Sequence, residues 1–211
     1  QMDALPLELH IRSLKLRGNI RIRQGEVDAA VEDFRKAVVM SRDVKHTVLL
    51  IQSTNALGWA YQLLGDWEQA LEYYKEARQL YHRADIQIQN RLKNDYGLIL
   101  INIAVILTNS DTTRRTAINT ANAAILHWKK IGNELGLGRG YGVQGINYHK
   151  TDHSEQALGA FQKALAIFEP LNLKDEIAPI LSWRGTRYHK IGRNEEAKRD
   201  LIRSLEIGPQ H

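Results

Sequence analysis

The sequence predicts an all-α fold of about five antiparallel helix pairs, and two observations carry this prediction. Only 4 Pro and 3 Phe occur among 211 residues, while Ala, Leu, Gln, Glu, Lys and Arg, which favour helices, are frequent. A glycine followed twelve residues later by an alanine also recurs along the chain. The four glycine/alanine pairs are Gly18/Ala30, Gly58/Ala70, Gly145/Ala157 and Gly185/Ala197. The first two glycines are 40 residues apart, and so are the last two, which indicates a repeat architecture.

Aromatic and apolar residues follow the same register in each repeat. Tyrosines lie three residues after the glycine in all but the first repeat, which has Arg21 there, and large side chains lie four residues after the alanine. These positions are Tyr61, Tyr148 and Tyr188, and Phe34, Tyr74, Phe161 and Leu201. Spacings of three and four place residues on one helical face. We therefore expect the glycine to let two helices approach closely, with an aromatic ring filling the adjoining gap.

A second glycine, seven residues after the first, predicts the end of the first helix of each pair. It occurs as Gly25, Gly65 and Gly192, and Asp152 takes its place in the remaining repeat. A helix C-terminus with positive φ suits glycine. The segments that follow, Gly65-Asp66, Asp152-His153-Ser154 and Arg193-Asn194, are expected to cap the second helix.

These positions divide one domain, residues 1–211, into five units. The units span roughly 11–50, 51–96, 97–137, 138–177 and 178–211. The third is degenerate: Asn102-Ile103-Ala104 fits its first helix, Ala117, Ala121 and Ala124 fit its second, and its turn, 108–113, is one residue too long. Because the chain begins at Gln1 and not at Met, we expect a fragment of a longer protein or a processed product.

Two features argue against regular helices in the last two units. Gly136, Gly138, Gly140 and Gly142 cluster where a helix should begin, and each helical glycine costs about 0.8–1 kcal/mol relative to alanine. We therefore predict a late helix start, after about Gly140, behind a flexible loop. Pro179 raises the same question for the last unit, since proline suits only the first helical turn.

Composition and motifs exclude several function classes. A net charge of +5 is too small to indicate nucleic-acid binding, and the absence of Cys excludes disulfides and thiolate chemistry. The strongest apolar run, 98–107, is too short to span a membrane, and no secretory signal occurs, so we expect a cytoplasmic protein. Residues 140–145 satisfy G-x-G-x-x-G without a preceding strand. We therefore predict no enzyme activity and no cofactor. We also predict no metal site, because His149 and His153 have helical spacing but His153 falls in a turn.

The repeated residues resemble the tetratricopeptide repeat (TPR) family. The closest copy runs from Thr54-Asn55-Ala56-Leu57-Gly58-Trp59-Ala60-Tyr61 to Gly65-Asp66-Trp67-Glu68-Gln69-Ala70. The period of about 40, longer than the usual 34, resembles the repeats of bacterial NLR-like (STAND) signal-transducing ATPases, kinesin light chains and peptide-sensing regulators. The resemblance implies a right-handed superhelical solenoid whose first helices line a concave groove.

The resemblance also implies which residues line that groove and what they bind. A peptide, a protein segment or a small inducer would be the ligand. The implied positions are Arg12, Lys15, Asn19, Arg23, Gln52, Asn55, Trp59, Gln62, Arg139, His149, Lys150, Thr186, His189 and Lys190. Both ends of this groove would be basic, with Trp59 in the middle. Alternatively, Trp59 packs against a neighbouring helix or domain, and His149 and His189 are solvated helix ends.

The carboxylate clamp of TPR co-chaperones is not expected here. Lys15 and Asn19 match its first two positions, but Ala56, Leu98 and Asn102 occupy the others. The prediction is therefore a non-catalytic sensor or interaction module of a larger signalling or transcription-regulating protein. In such a sensor, groove occupancy would shift the superhelix between open and closed forms. The alternative is a constitutive scaffold that assembles protein partners without switching.

The two ends of the predicted solenoid lack capping helices. Leu5, Leu7 and Leu9 precede the first unit without a partner helix, and only four residues follow the last helix from Gly208. Since solenoids need polar caps to stay soluble, we expect contacts with neighbouring domains of the parent chain or self-association through these ends. Alternatively, the polar face of Lys198, Arg199, Arg203 and Glu206 serves as the cap.

Overall fold

The computed structural model describes residues 4–109 and 111–208, with the side chains of residues 4, 5 and 111 left aside. Within these ranges the chain forms helices and no strand, which confirms the all-α prediction. The helices are α1 (Ala4–Arg23), α2 (Val27–Asp43), α3 (Thr47–Leu63), α4 (Trp67–Arg83), α5 (Ile86–Arg91), α6 (Lys93–Leu107), a 3-10 helix (Asp111–Thr113), α7 (Arg114–Ile131), α8 (Glu134–Lys150), α9 (Ser154–Phe168), α10 (Lys174–Lys190) and α11 (Asn194–Ile207). No described helix is both long and apolar enough to cross a lipid bilayer.

The chain divides into two compact units, 1–106 and 107–211, called here the N-terminal and C-terminal units. In the N-terminal unit, α1 pairs with α2 and α3 with α4. Arg17 bonds to Asp33 while Arg21 bonds to the Ala29 carbonyl, so α1 and α2 run antiparallel. In the C-terminal unit, α8 pairs with α9 and α10 with α11, and α7 packs on α8.

The repeat glycines lie where two helices approach each other, as predicted. A Cβ built on Gly18 would lie 2.6 Å from the Phe34 ring, and one on Gly58 would lie 2.9 Å from the Tyr74 ring. Real Cβ atoms do not tolerate such distances, so the ring of the second helix sits directly on the glycine backbone of the first. The predicted glycine-to-ring packing is confirmed.

Helix ends follow the predicted glycines, whereas the predicted caps are mostly wrong. Gly25, Gly65 and Gly192 have φ values of 80°, 79° and 79°, and Asp152 has 58°. Asp66 caps α4 by accepting a hydrogen bond from the Gln69 amide at 3.1 Å. The N-cap positions of α9 and α11 are held by His153 and Arg193, whose side chains make no cap bond. Ser154 and Asn194 stand one residue inside the helix, so they cannot act as caps.

The predicted unit boundaries fall inside helices. The predicted starts at 51, 97, 138 and 178 lie four residues after the first residues of α3, α6, α8 and α10. Repeat glycines mark helix contacts and not helix starts, so they fix the period but not the boundary. The short helix α5 was not predicted, while Ala117, Ala121 and Ala124 are buried on α7 as expected. The predicted turn 108–113 includes residue 110, which is outside the described residues, as are the last three residues.

The predicted late start of the fourth unit is wrong. Helix α8 begins at Glu134, and Asn133 caps it by accepting a hydrogen bond from the Gly136 amide at 2.8 Å. A Cβ on Gly136 would lie 2.4 Å from Trp128, and one on Gly138 would lie 2.5 Å from Phe168. Large side chains from α7 and α9 thus rest on the α8 backbone, and this packing offsets the helical cost of glycine.

Pro179 likewise does not delay the last unit. Helix α10 begins at Lys174 and contains Pro179 as its sixth residue. The missing amide would have bonded to the carbonyl of Asp175, one turn earlier. Both residues are exposed, so water can satisfy that carbonyl.

Candidate functional site

The first helices of the N-terminal unit, α1, α3 and α6, are joined by a line of polar side chains. Lys15 Nζ on α1 donates to Gln52 Oε1 on α3 at 2.8 Å. Gln52 Nε2 in turn donates to Asp95 Oδ1 on α6 at 3.1 Å. The surface carrying these groups is called the first-helix face, defined by Lys15, Gln52, Asn55, Trp59, Asp95 and Asn102.

Further along the same helices, side-chain amides meet again. Asn102 Nδ2 donates to Asn55 Oδ1 at 3.2 Å, one turn beyond Gln52 on α3. Trp59, one turn further along α3, is half-buried. Each Asn keeps a donor or an acceptor that this bond does not use. The first-helix face can therefore form hydrogen bonds with a polypeptide backbone and pack an apolar group on the indole.

Lys15 has the most perturbed electrostatics of this face. The pKa of the Lys15 amine is lowered from 10.5 to about 8, chiefly by burial and to a smaller extent by the positive charge of Arg12. The carboxylate of Asp95 acts in the opposite direction. The hydrogen bond that Lys15 donates goes to the neutral amide of Gln52, so the positive charge of Lys15 is only partly compensated.

The other predicted groove residues of the N-terminal unit are placed differently. Arg12 pairs with Glu8 on its own helix at 2.6 Å, while Asn19 and Arg23 are exposed on α1. Gln62 accepts a hydrogen bond from the Tyr74 hydroxyl at 2.8 Å. Arg12 and Gln62 are therefore already engaged within the protein.

In the C-terminal unit, most predicted groove residues pair across or within the helices. Arg139 on α8 donates to Glu176 on α10 at 2.7 Å, beside a surface hollow of about 490 Å³. Lys150 donates to Asn109 at 3.0 Å, and Lys190 pairs with Asp152. Thr186 bonds to the Ser182 carbonyl of its own helix, and His189 to Asn194.

Arg187 is a central residue of this unit that the sequence reasoning missed. Its side chain is 2% exposed. Nε donates to His149 Nδ1 at 3.1 Å, and Nη1 donates to Asp152 and Ser154 at 3.3 and 3.2 Å. The repeat register could have indicated that Arg187 is buried. It lies two residues after the repeat glycine, and Ala60 and Asn147 at the same position are also buried.

His149 is consequently not a solvated helix end. It is half-buried, it accepts the Arg187 hydrogen bond, and its ring meets the Trp183 ring edge-on with centroids 5.3 Å apart. Burial, followed by the charges of Arg187 and Lys190, lowers the pKa of His149. His153 lies beyond the end of α8, as expected, and no described group of three His, Asp or Glu side chains could hold a metal ion.

The last helix leaves an apolar surface open. Leu205 is 79% exposed and Ile202 is 46% exposed, beside a hollow of about 490 Å³. At the equivalent register position, Val38 on α2 and Leu165 on α9 are only 5% and 1% exposed because a following helix covers them. Lys198 lies on the same surface.

A comparison with known families matches part of the chain. The tetratricopeptide repeat model matches residues 10–82, the range that holds most of α1 through α4. No curated protein sequence matches the chain.

Solved structures resemble the chain over nearly its full length. BtubC (BKLC) from P. vanneervenii shares 18% identity with a TM-score of 0.77, over 100% of this chain and 86% of that one. A Rap protein complexed with Competence and Sporulation Factor shares 18% with a TM-score of 0.81, over 94% of this chain and 54% of that one. The TPR-like repeats of a putative kinesin light chain from Podosopora anserina share 14% with a TM-score of 0.71, over 93% of both chains. At these identities the similarity shows the fold alone, and this chain spans about half the length of the Rap protein.

Proposed function

We propose that the chain is a non-catalytic interaction module whose first-helix face binds an extended peptide segment of a protein partner. The single observation that carries this proposal is the line of amide and charged side chains across α1, α3 and α6. Gln52 links Lys15 to Asp95, and Asn55 meets Asn102 one turn further on. Carboxamides carry both donors and acceptors, which matches the alternating groups of a polypeptide backbone.

Trp59 gives this face an apolar anchor beside the amides. It is half-buried on α3, one turn beyond Asn55, so part of the indole remains open to solvent. Large aromatic residues that are partly exposed on a binding surface contribute much of the affinity when a partner covers them. A peptide with an apolar side chain in register with its backbone hydrogen bonds fits this arrangement.

The wider role that we propose is a sensor in a larger signalling or transcription-regulating protein, located in the cytoplasm beside further domains. One protein of similar fold is a Rap protein complexed with Competence and Sporulation Factor, so a ligand-bound state is compatible with this fold. A sensor changes shape when its ligand binds, whereas a constitutive scaffold keeps one shape. Sedimentation velocity with and without bound peptide separates the two roles, because only the sensor changes its sedimentation coefficient.

Selection from a displayed library of random twelve-residue peptides tests the binding face. We expect the selected peptides to lose about tenfold or more in affinity with Trp59→Ala and with Asn55→Ala, measured by calorimetry. Lys75→Ala, an exposed change on α4, is the matched control and should leave affinity unchanged. Peptides that bind both first-helix variants as tightly as the parent protein would contradict the proposed face.

A further inference from the structure

A further hollow lies between α1 and α2, on residues that the first-helix face does not use. It has a volume of about 260 Å³. Its base is apolar: Leu14 is buried, Met40 is half-buried and Val39 is 50% exposed. His10, Arg35 and Lys36 complete its lining. An apolar base of this size accommodates one large side chain.

The charged groups at the rim of this hollow are all basic. Arg35 already donates to the Tyr61 hydroxyl at 2.7 Å and pairs with Glu32. Lys36 is exposed and makes no hydrogen bond or ion pair with any described residue. Because no carboxylate lines the hollow, its rim favours an occupant that carries negative charge next to its apolar part.

The repeat provides an internal counterpart that shows what fills this position. Leu14 precedes Gly18 by four residues and Lys36 follows it by eighteen, and Tyr141 and Lys163 stand at the same distances from Gly145. In that helix pair, the Tyr141 ring packs against the core formed with Phe161, and Lys163 Nζ lies 5.3 Å from the ring centroid. The α8/α9 pair thus supplies its own aromatic ring beneath the lysine, whereas the α1/α2 pair has the smaller Leu14 and a hollow.

We propose that this hollow binds an aromatic side chain of a partner polypeptide, with a neighbouring acidic residue of that partner paired to Lys36. The aromatic ring would lie on Leu14 and Met40, as Tyr141 does on its own core, with the Lys36 ammonium over its face. Aromatic rings attract cations at this distance, and the adjacent carboxylate adds a charge pair. The occupant is therefore a segment in which Tyr or Phe is flanked by Glu or Asp.

Met40 provides a direct probe of this site. The chain has only two methionines, Met2 and Met40, so labelling their methyl groups with 13C gives a two-signal NMR spectrum. The blocked tripeptide Ac-Glu-Tyr-Glu-NH2 should shift the Met40 methyl signal upfield, with saturation in the millimolar range. Ac-Glu-Ala-Glu-NH2, which lacks the ring, should leave that signal in place. Ac-Lys-Tyr-Lys-NH2 should bind about tenfold more weakly because its charges oppose Lys36.

Three variants locate the effect. Leu14→Tyr copies the α8/α9 pair and should abolish the shift, since its own ring fills the hollow. Lys36→Glu, an exposed change that leaves the core intact, should weaken binding of Ac-Glu-Tyr-Glu-NH2 about tenfold, and it decides the matter if Leu14→Tyr fails to fold. Lys163→Glu is the matched control at the filled counterpart and should have no effect on the Met40 signal.

Several results would overturn the proposal. These are equal shifts with the acidic and basic tyrosine peptides, an unchanged affinity in Lys36→Glu, or no saturable shift of Met40 with the acidic peptide. If 3-phenylpropionate bound as tightly as that tripeptide, the occupant of the hollow would be a small aromatic acid and not a polypeptide. None of these outcomes depends on the first-helix face, so they are distinct from a failure of the peptide-binding proposal.

Discussion

At the scale of single residues, two buried serines of the N-terminal unit show how much one hydrogen bond matters. Ser41 and Ser53 are both fully buried within helices. The Ser41 hydroxyl donates to the Ala37 carbonyl at 2.6 Å, while the Ser53 hydroxyl has no partner among the described residues. A buried hydroxyl without a partner has lost its hydrogen bonds to water and gained none within the protein, which is destabilising.

We therefore expect opposite effects from the same substitution. Ser41→Ala should lower the free energy of unfolding by about 1 kcal/mol because it removes a satisfied bond. Ser53→Ala should leave it unchanged or raise it by up to about 1 kcal/mol because it removes an unsatisfied group. Urea unfolding of the two variants measures both values. Equal losses would show that Ser53 finds a partner in solution.

A second prediction at this scale concerns the pH dependence contributed by His149. The folded protein lowers the pKa of His149 below its ordinary value of 6.5, because the ring is half-buried and faces the cations of Arg187, Lys190 and Lys150. Asp152 acts in the opposite direction but does not outweigh them. A His with a lowered pKa contributes full stability above pH 6.5 and loses it as the pH falls through the folded pKa.

Urea unfolding of the parent protein and of His149→Gln, at several pH values between 8 and 5, tests this linkage. Glutamine can still accept the Arg187 hydrogen bond but does not titrate. The difference in unfolding free energy between the two should be constant above pH 7. Below pH 6.5 it should move in favour of the variant. A difference that does not change with pH would mean that His149 has an ordinary pKa in the folded protein.

At the scale of elements, α8 shows a helix that is stabilised by its neighbours. Its five glycines, at 136, 138, 140, 142 and 145, have low helical propensity, and all of them are buried. Trp128, Phe168, Ile125 and Ile180 each rest against one of these glycines. The backbone of α8 is thus a packing surface for α7, α9 and α10.

Glycine-to-alanine changes separate packing from propensity. Gly159→Ala, in α9 with nothing within 4 Å of the added Cβ, should raise the free energy of unfolding by about 0.8–1 kcal/mol. Gly138→Ala places a Cβ 2.5 Å from the Phe168 ring and should lower it by about 1–3 kcal/mol despite the same gain in propensity. Thermal unfolding of both variants provides the measurement. Stabilisation by Gly138→Ala would mean that Phe168 moves aside without cost.

At the scale of the whole molecule, the repeat register determines which apolar side chains have a covering helix. Val38, Leu165 and Leu205 each lie twenty residues after a repeat glycine, but only the first two are covered. The register also places a charged contact at equivalent positions of α1/α2 and α10/α11. Arg17 and Arg184, each one residue before a repeat glycine, form hydrogen-bonded ion pairs with Asp33 and Asp200.

Charge placed at two equivalent leucines should therefore have very different effects. Leu165→Glu buries an unpaired carboxylate and should lower the free energy of unfolding by about 3 kcal/mol or more. Leu205→Glu should change it by less than about 0.5 kcal/mol and should reduce any concentration-dependent association through the last helix. Urea unfolding and sedimentation equilibrium give the two readouts. A large loss for Leu205→Glu would show that this surface is covered in solution.

The helix pairs, the glycine-to-ring contacts and the C-terminal ends of the first helices were predictable from residue types. Each of these depends on local residue type at a fixed spacing: a glycine under Phe34 or Tyr74, and positive φ at Gly25 or Gly65. The family resemblance implied the groove positions on α3, which stay a prediction, while Gln52 and Asn55 form hydrogen bonds with Asp95 and Asn102 on α6. Periodicity sufficed because every repeat solves the same packing problem.

Which side chains on these helices are engaged, and which stay open, depends on contacts between residues that are distant in sequence. The glycines of α8 form a helix because Trp128 and Phe168 pack on them, which a local cost per residue cannot indicate. Arg187 donates a hydrogen bond to His149, which lies 38 residues away in the sequence. Gln52 bonds to Lys15 and to Asp95, which lie 37 and 43 residues away. Propensity and capping act within a few residues, whereas burial and charge pairing depend on residues that only the fold brings together.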